Sequence, residues 1–175
     1  MFAQSSKHSD QAKQPAWPLT SALAVIINMN IDINERKSHF EKFREERLPV
    51  LHEFSKNLGF ANPHEILLKP GMFLEALSNW LSEQEISEDN KVWLATRVGY
   101  YIGEYFVVTY DGCWSVCETS SSRYYGRFVV GEFSAFNNPA ALLDPIEAAM
   151  HFVNEPKGRS LSNLVSEITE SLGAL

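Results

Sequence analysis

Cysteine is scarce in this chain. Only Cys113 and Cys117 occur among 175 residues, too few for a disulfide framework. They flank "WSV" on an expected strand, where both are expected on one face. Residues i and i+4 of a strand lie about 13 Å apart, too far to bridge each other. Two free thiols in a reducing compartment are expected. Basic charge is also in short supply: Lys and Arg number 15 against 22 Asp and Glu, a formal charge of −7. A phosphate-binding face needs a surplus of the opposite sign, so nucleic acid is excluded as the expected partner. Long apolar runs are missing too. "LTSALAVIINMNI" is too short to span a bilayer and is interrupted by asparagines. The opening "MFAQSSKHSDQAKQPAW" lacks the apolar centre of a signal peptide. These features lead us to expect a cytoplasmic protein with no membrane partner.

Chemistry-bearing motifs are equally sparse. The histidines His8, His39, His52, His64 and His151 are scattered. No HExxH or His-x3-His spacing occurs, and adding the cysteines gives no zinc signature. No metal or cofactor is expected. No G-x-S-x-G nucleophile elbow is present. A pairing of Cys113 or Cys117 with His151 has no local motif behind it.

What the chain has is core material: 45% hydrophobic and 12% aromatic residues, enough for one globular domain. We expect residues 1–16 to form a disordered polar tail and 17–175 to form that domain. "WPLTSALAVIINMN" reads as a helix rather than a strand, because asparagine is poor in strand interiors. Asn34 looks like the cap of a charged helix with Phe40, Phe43 and Leu48 on its buried side. Pro49 should break that helix or start a new turn. Leu51, Phe54 and Leu58 resume the pattern and Gly59 closes it. "ANPHEILLKPG" is a connector bounded by prolines. Phe73, Leu77, Trp80 and Leu81 mark the next helix. The acidic "EQEISED" that follows reads as a solvated loop, with contact to a basic partner as the alternative. Asp89 or Ser87 should cap a long helix from Val92 to Phe106, apolar nearly all round. "CWSVCET" and "RYYGRFVVGEF" then read as antiparallel strands. Asp144 and Pro145 open a helix, and Ser160 caps the last one. The expected fold class is α+β: mostly helical, with a small antiparallel sheet in the C-terminal half.

Within the long helix, Gly99 and Gly103 stand four residues apart on one face. Each costs about 1 kcal/mol relative to alanine, so something must offset that. Close approach of a neighbouring backbone is the physical reason we assign, with the sheet or the C-terminal helix as the neighbour. A phosphate-cradling loop would need a different spacing and a lysine. Glu104, beside Gly103, should be paired, with Arg97 as the expected partner. As a buried general base it would lack an identifiable partner.

Trp114, Glu118, Arg123, Tyr125 and Arg127 cluster around the strands. Trp, Tyr and Arg are the residues that anchor protein interfaces. On "RYYGRFVV", Arg123, Tyr125 and Arg127 should share one solvent face opposite Phe128 and Val130.

"RVGYYIGEYFVVTYDGCWSVCE", followed by a second strand and "NNPAALLDPIEAAMHFVNEP", resembles small uncharacterised bacterial domains. Their size, charge and compartment are similar to those of immunity proteins of bacterial toxin systems. The resemblance implies a non-enzymatic inhibitor that binds another protein, a basic toxin among the candidates, and occludes its site. A small hydrolase using Glu104 or a Cys/His pair is the second reading. A structural subunit that self-associates as a homo-oligomer is the third.

Overall fold

The computed structural model describes residues 31–173. The expected tail at 1–16, the expected helix at 17–30 and His8 lie outside the described residues. Five helices, two 3-10 turns and one hairpin follow each other from Ile33 to Gly173. The architecture is α+β, mostly helical, with a two-stranded antiparallel sheet in the C-terminal half.

Helix α1 spans Ile33–Asn57. Its cap is Asp32, whose carboxylate accepts from the Asn34 N–H at 2.9 Å, so Asn34 already belongs to the first turn. That earlier start is anchored by Arg36, whose Nε donates to the Gly126 carbonyl at 2.7 Å. Pro49 does not break the helix, contrary to the sequence expectation. The proline removes the donor that would serve the Glu45 carbonyl, but both residues are exposed and water can replace it. On the opposite side Leu51 and Phe54 are buried and hold the helix down. Gly59, at φ +80°, ends the helix as expected.

The proline-bounded connector winds into two 3-10 turns, Pro63–Leu67 and Pro70–Phe73. Helix α2, Leu74–Glu83, buries Leu77 and Leu81. Helix α3, Glu88–Tyr110, runs through the middle of the core. It is not buried all round: Val92 and Trp93 in its first turns are exposed, as is Val108 near its end. Ser87 occupies the cap position without a side-chain hydrogen bond, and Asp111 closes the helix in the left-handed region at φ +53°.

Strands β1, Cys113–Val116, and β2, Phe128–Gly131, pair with Trp114 opposite Val130. Val130 also exchanges backbone bonds of 2.8 and 2.9 Å with Leu143. Both strands are shorter than expected. Cys113 is exposed and Cys117, just past β1, is buried, so the cysteines do not share a face. Helix α4, Pro145–Asn154, opens with Asp144 accepting from the Glu147 N–H at 2.9 Å. Helix α5, Leu161–Gly173, opens with Ser160 accepting from the Asn163 N–H at 3.2 Å. Both caps are those the sequence names.

Helix α3 makes its most extensive contact with α4. Gly99 is where they meet: a Cβ there would lie 2.6 Å from Ile146 Cδ1 and 3.2 Å from both Ile146 Cα and the Pro145 carbonyl. A Cβ at Gly103 would land on the Trp114 ring, reaching across from β1. The 3-10 turn at Pro70 is tied to α3 by Tyr101, whose hydroxyl donates to the Pro70 carbonyl at 2.9 Å. Arg159, buried, donates to the carbonyls of Leu81, Gln84 and Glu155 at 2.6–3.1 Å. Its charge thereby serves the C-terminal ends of α2 and α4, where carbonyls lack helical donors.

Two predictions follow from this packing. Gly103→Ala gains about 1 kcal/mol of helix propensity but forces the indole aside, and a net loss of about 1–3 kcal/mol is expected by chemical denaturation. An unchanged midpoint would show the joint to be slack. Burial pushes the Tyr101 phenol far above its usual value, with smaller upward contributions from Tyr105 and Glu75. The unfolded chain ionises near pH 10 while the folded one does not. Stability from this group is therefore full below that pH and falls as pH rises above it, a slope that Tyr101→Phe should reduce in alkaline melts.

Candidate functional site

The residues singled out around the strands go to different places. Trp114 turns inward, with its ring edge-on to Phe43 at 4.8 Å between centroids. Glu118 is exposed and pairs with Lys37 of α1 at 2.8 Å. Arg123 and Tyr125 lie in the turns between the strands, not on β2. Gly126 at φ +72° bends the chain there, and its N–H closes on the Cys117 carbonyl at 2.8 Å. The expected Arg–Tyr–Arg strand face therefore does not form. Nor is there a wet side to β2 itself, since Val129 and Val130 are both fully buried.

Arg123 and Arg127 do converge, on Glu147 of α4. Arg123 Nη2 reaches Glu147 Oε2 at 3.0 Å and the Tyr124 hydroxyl at 2.7 Å. Arg127 Nη1 donates to Asp144 at 3.1 Å and to Glu147 Oε1 at 2.9 Å. Burial works against the Arg127 charge, but the hydrogen bonds it donates to Glu147 and Asp144, with their negative charges, outweigh it and move its pKa up. These cations fasten the loop to the start of α4.

Glu104 is buried at 5% exposure. Its partner is not Arg97 but Arg47 of α1, whose Nε lies 2.7 Å from Glu104 Oε1. The same oxygen accepts from the Trp114 indole N–H at 2.9 Å. Arg97 instead stacks on Trp93, its guanidinium carbon 3.9 Å from the ring centroid. Seven residues bring Arg97 near the azimuth of Glu104 but two turns away along the axis. Arg47 comes from another element and leaves no local spacing to detect.

The most distinctive open feature is a cleft of about 450 Å³ where α2 turns into α3. Trp80 and Trp93 line it, with Ile86 and Leu94 as further apolar lining. Glu85 and Asp89, with Gln84 and Asn90, supply its polar lining. Phe54 of α1 packs edge-on to both indoles, at 6.1 Å from Trp80 and 6.0 Å from Trp93. Glu88 nearby is taken by Lys91 at 2.6 Å. Among the described residues Glu85 and Asp89 form no ion pair. The sequence reading placed both tryptophans in the buried helices and the acidic run in solvent. The carboxylates of the run are exposed, as expected, and two of them line the same cleft as the two rings.

A second groove of about 330 Å³ lies between α4 and α5, lined by Arg123, Glu147, His151 and Glu167 among others. Arg123 and Glu147 there already satisfy each other. Among the described residues no group of three or more His, Cys, Asp or Glu side chains is placed to hold a metal ion, and no helix is long and apolar enough to cross a membrane. The chain matches no protein-family model, no curated protein and no solved structure.

Glu104→Gln leaves the partly buried Arg47 guanidinium without its carboxylate while keeping an acceptor for Trp114. A loss of about 3 kcal/mol is expected in urea unfolding. Adding Arg47→Met to that variant should restore part of it, because no buried charge is left alone. If the single variant is as stable as the parent, the pair does not hold the fold.

Proposed function

We propose that the chain is a non-enzymatic binding domain of the cytoplasm that covers a basic surface of a partner protein, as an immunity-type inhibitor covers its toxin. The observation that carries this reading is the open cleft with two indoles and two carboxylates that form no ion pair among the described residues. Aromatic side chains that stay exposed beside a preformed cleft are the usual anchors of an interface. Uncompensated carboxylates steer a cationic partner toward it. The formal charge of −7 acts in the same direction. Of the residues named for the hydrolase reading, Glu104 and Cys117 lie in the core, whereas Cys113 is exposed.

Self-association has one observation in its favour. Leu68, just past the first 3-10 turn, and Met72, on the second, are 66% and 69% exposed. Light scattering across a concentration series separates the readings, because an occluding inhibitor is monomeric without its partner.

The decisive experiment is co-expression of the chain with the protein encoded beside it, followed by size-exclusion chromatography. A 1:1 complex is expected, with the partner's activity lost and with affinity falling at least about tenfold between low and high salt. Separate elution of the two proteins, with the partner still active, would overturn the proposal.

A further inference from the structure

The cleft at the α2–α3 corner combines three kinds of lining. Ile86 and Leu94 give it apolar surface, Trp80 and Trp93 give it aromatic surface, and Glu85 and Asp89 give it negative charge. That combination suits one kind of side chain: a long aliphatic stem ending in a cation. At about 450 Å³ the cleft lies within the range of about 300–1,000 Å³ typical of ligand sites. It has room for such a side chain with part of the backbone that carries it.

The corner is built in advance. Gln84 Nε2 donates to the Trp80 carbonyl at 3.0 Å, and the Gln84 carbonyl accepts from Arg159 at 2.9 Å. Phe54 sets both rings from behind, with interplanar angles of 77° to Trp80 and 80° to Trp93. No ring has to be ordered at the moment of binding, which lowers the entropic cost.

The molecule also contains its own precedent. Trp93 lines a neighbouring cleft with Pro49, Val50 and Arg97, and there the Arg97 guanidinium lies 3.9 Å from its centroid. Arg97 does not line the first cleft. Trp93 thus already accepts a guanidinium in one cleft while it also lines the other. A planar, weakly hydrated guanidinium stacks on indole better than an ammonium does.

We propose that the cleft takes an arginine side chain from a basic segment of the partner protein. Its stem packs on Ile86 and Leu94. Its guanidinium lies against the indoles and is neutralised by Glu85 and Asp89. This rests on the protein-binding reading above and names the residue chemistry such a partner inserts.

The test is an NMR titration of the full chain with the capped peptide Ala-Arg-Ala, its neutral citrulline analogue and its lysine analogue. The indole N–H signals are assigned with Trp80→Phe and Trp93→Phe. The arginine peptide should shift the Trp80 and Trp93 signals saturably and leave that of Trp114 in place. Citrulline should bind at least tenfold more weakly, and lysine several-fold more weakly. The double variant Glu85→Gln/Asp89→Asn, on the exposed rim and with an unchanged melting temperature, should lose at least fivefold in affinity for the arginine peptide.

Equal binding of arginine and citrulline would overturn the proposal, as would equal binding of lysine or unmoved signals for both indoles. The two levels fail separately. A co-expressed complex that ignores Glu85→Gln/Asp89→Asn, with no peptide response, keeps the binding-domain reading and removes this site. A normal peptide response without any complex keeps the site and removes the inhibitor reading.

Discussion

The contact of Trp114 with Gly103 and Glu104 links three separate parts of the chain. An indole from β1 can approach the middle of α3 only where the helix carries no Cβ, and Gly103 provides that place. The indole N–H is then partly buried and needs an acceptor. Glu104 is that acceptor, but a carboxylate buried there needs a cation, which Arg47 brings from α1. One aromatic placement therefore fixes the hairpin, the central helix and the first helix against one another. Its reach extends to the cleft, because the orientation of α1 decides where Phe54 stands, and Phe54 packs against Trp80 and Trp93.

Charge is distributed by the same logic. Several cations are consumed internally: Arg47 on Glu104, Arg123 on Glu147, Arg127 on Asp144 and Glu147, and Arg159 on backbone carbonyls. Such pairs position elements more than they stabilise them, because desolvation offsets much of the Coulombic gain. With these basic groups engaged, the net negative charge of the chain is expressed at carboxylates such as Glu85 and Asp89, which have no such partner among the described residues. An acidic composition thereby becomes a local feature beside two aromatic rings.

The parts of the fold that were legible in the sequence are those decided within a few residues. Asp144 before Pro145, Ser160 before a periodic apolar helix, and Gly59 after one are local rules, and each holds. The misreadings arose where a distant partner intervened. Pro49 looked like a break, but Leu51 and Phe54 anchor the helix beyond it. "RYYGR" alternates like a strand, yet Gly126 turns the chain and Glu147, from α4, gathers its arginines. Arg97 shared a helix with Glu104, but stacking on Trp93 claimed it.

The amino-acid sequence alone settled the class of object: a mostly helical α+β domain, acidic, with small residues in its central helix where another segment must come close. Such properties depend on periodicity, capping and net charge, all of which are local or additive. Tertiary structure decided which groups meet. It gave Glu104 to Arg47, drew the arginines between the strands onto α4, and brought two acidic residues into the cleft that Trp80 and Trp93 line. Those outcomes depend on the angles at which α1, α2 and α3 pack, and such angles come from the simultaneous fit of side chains distant in the chain, which no single stretch encodes.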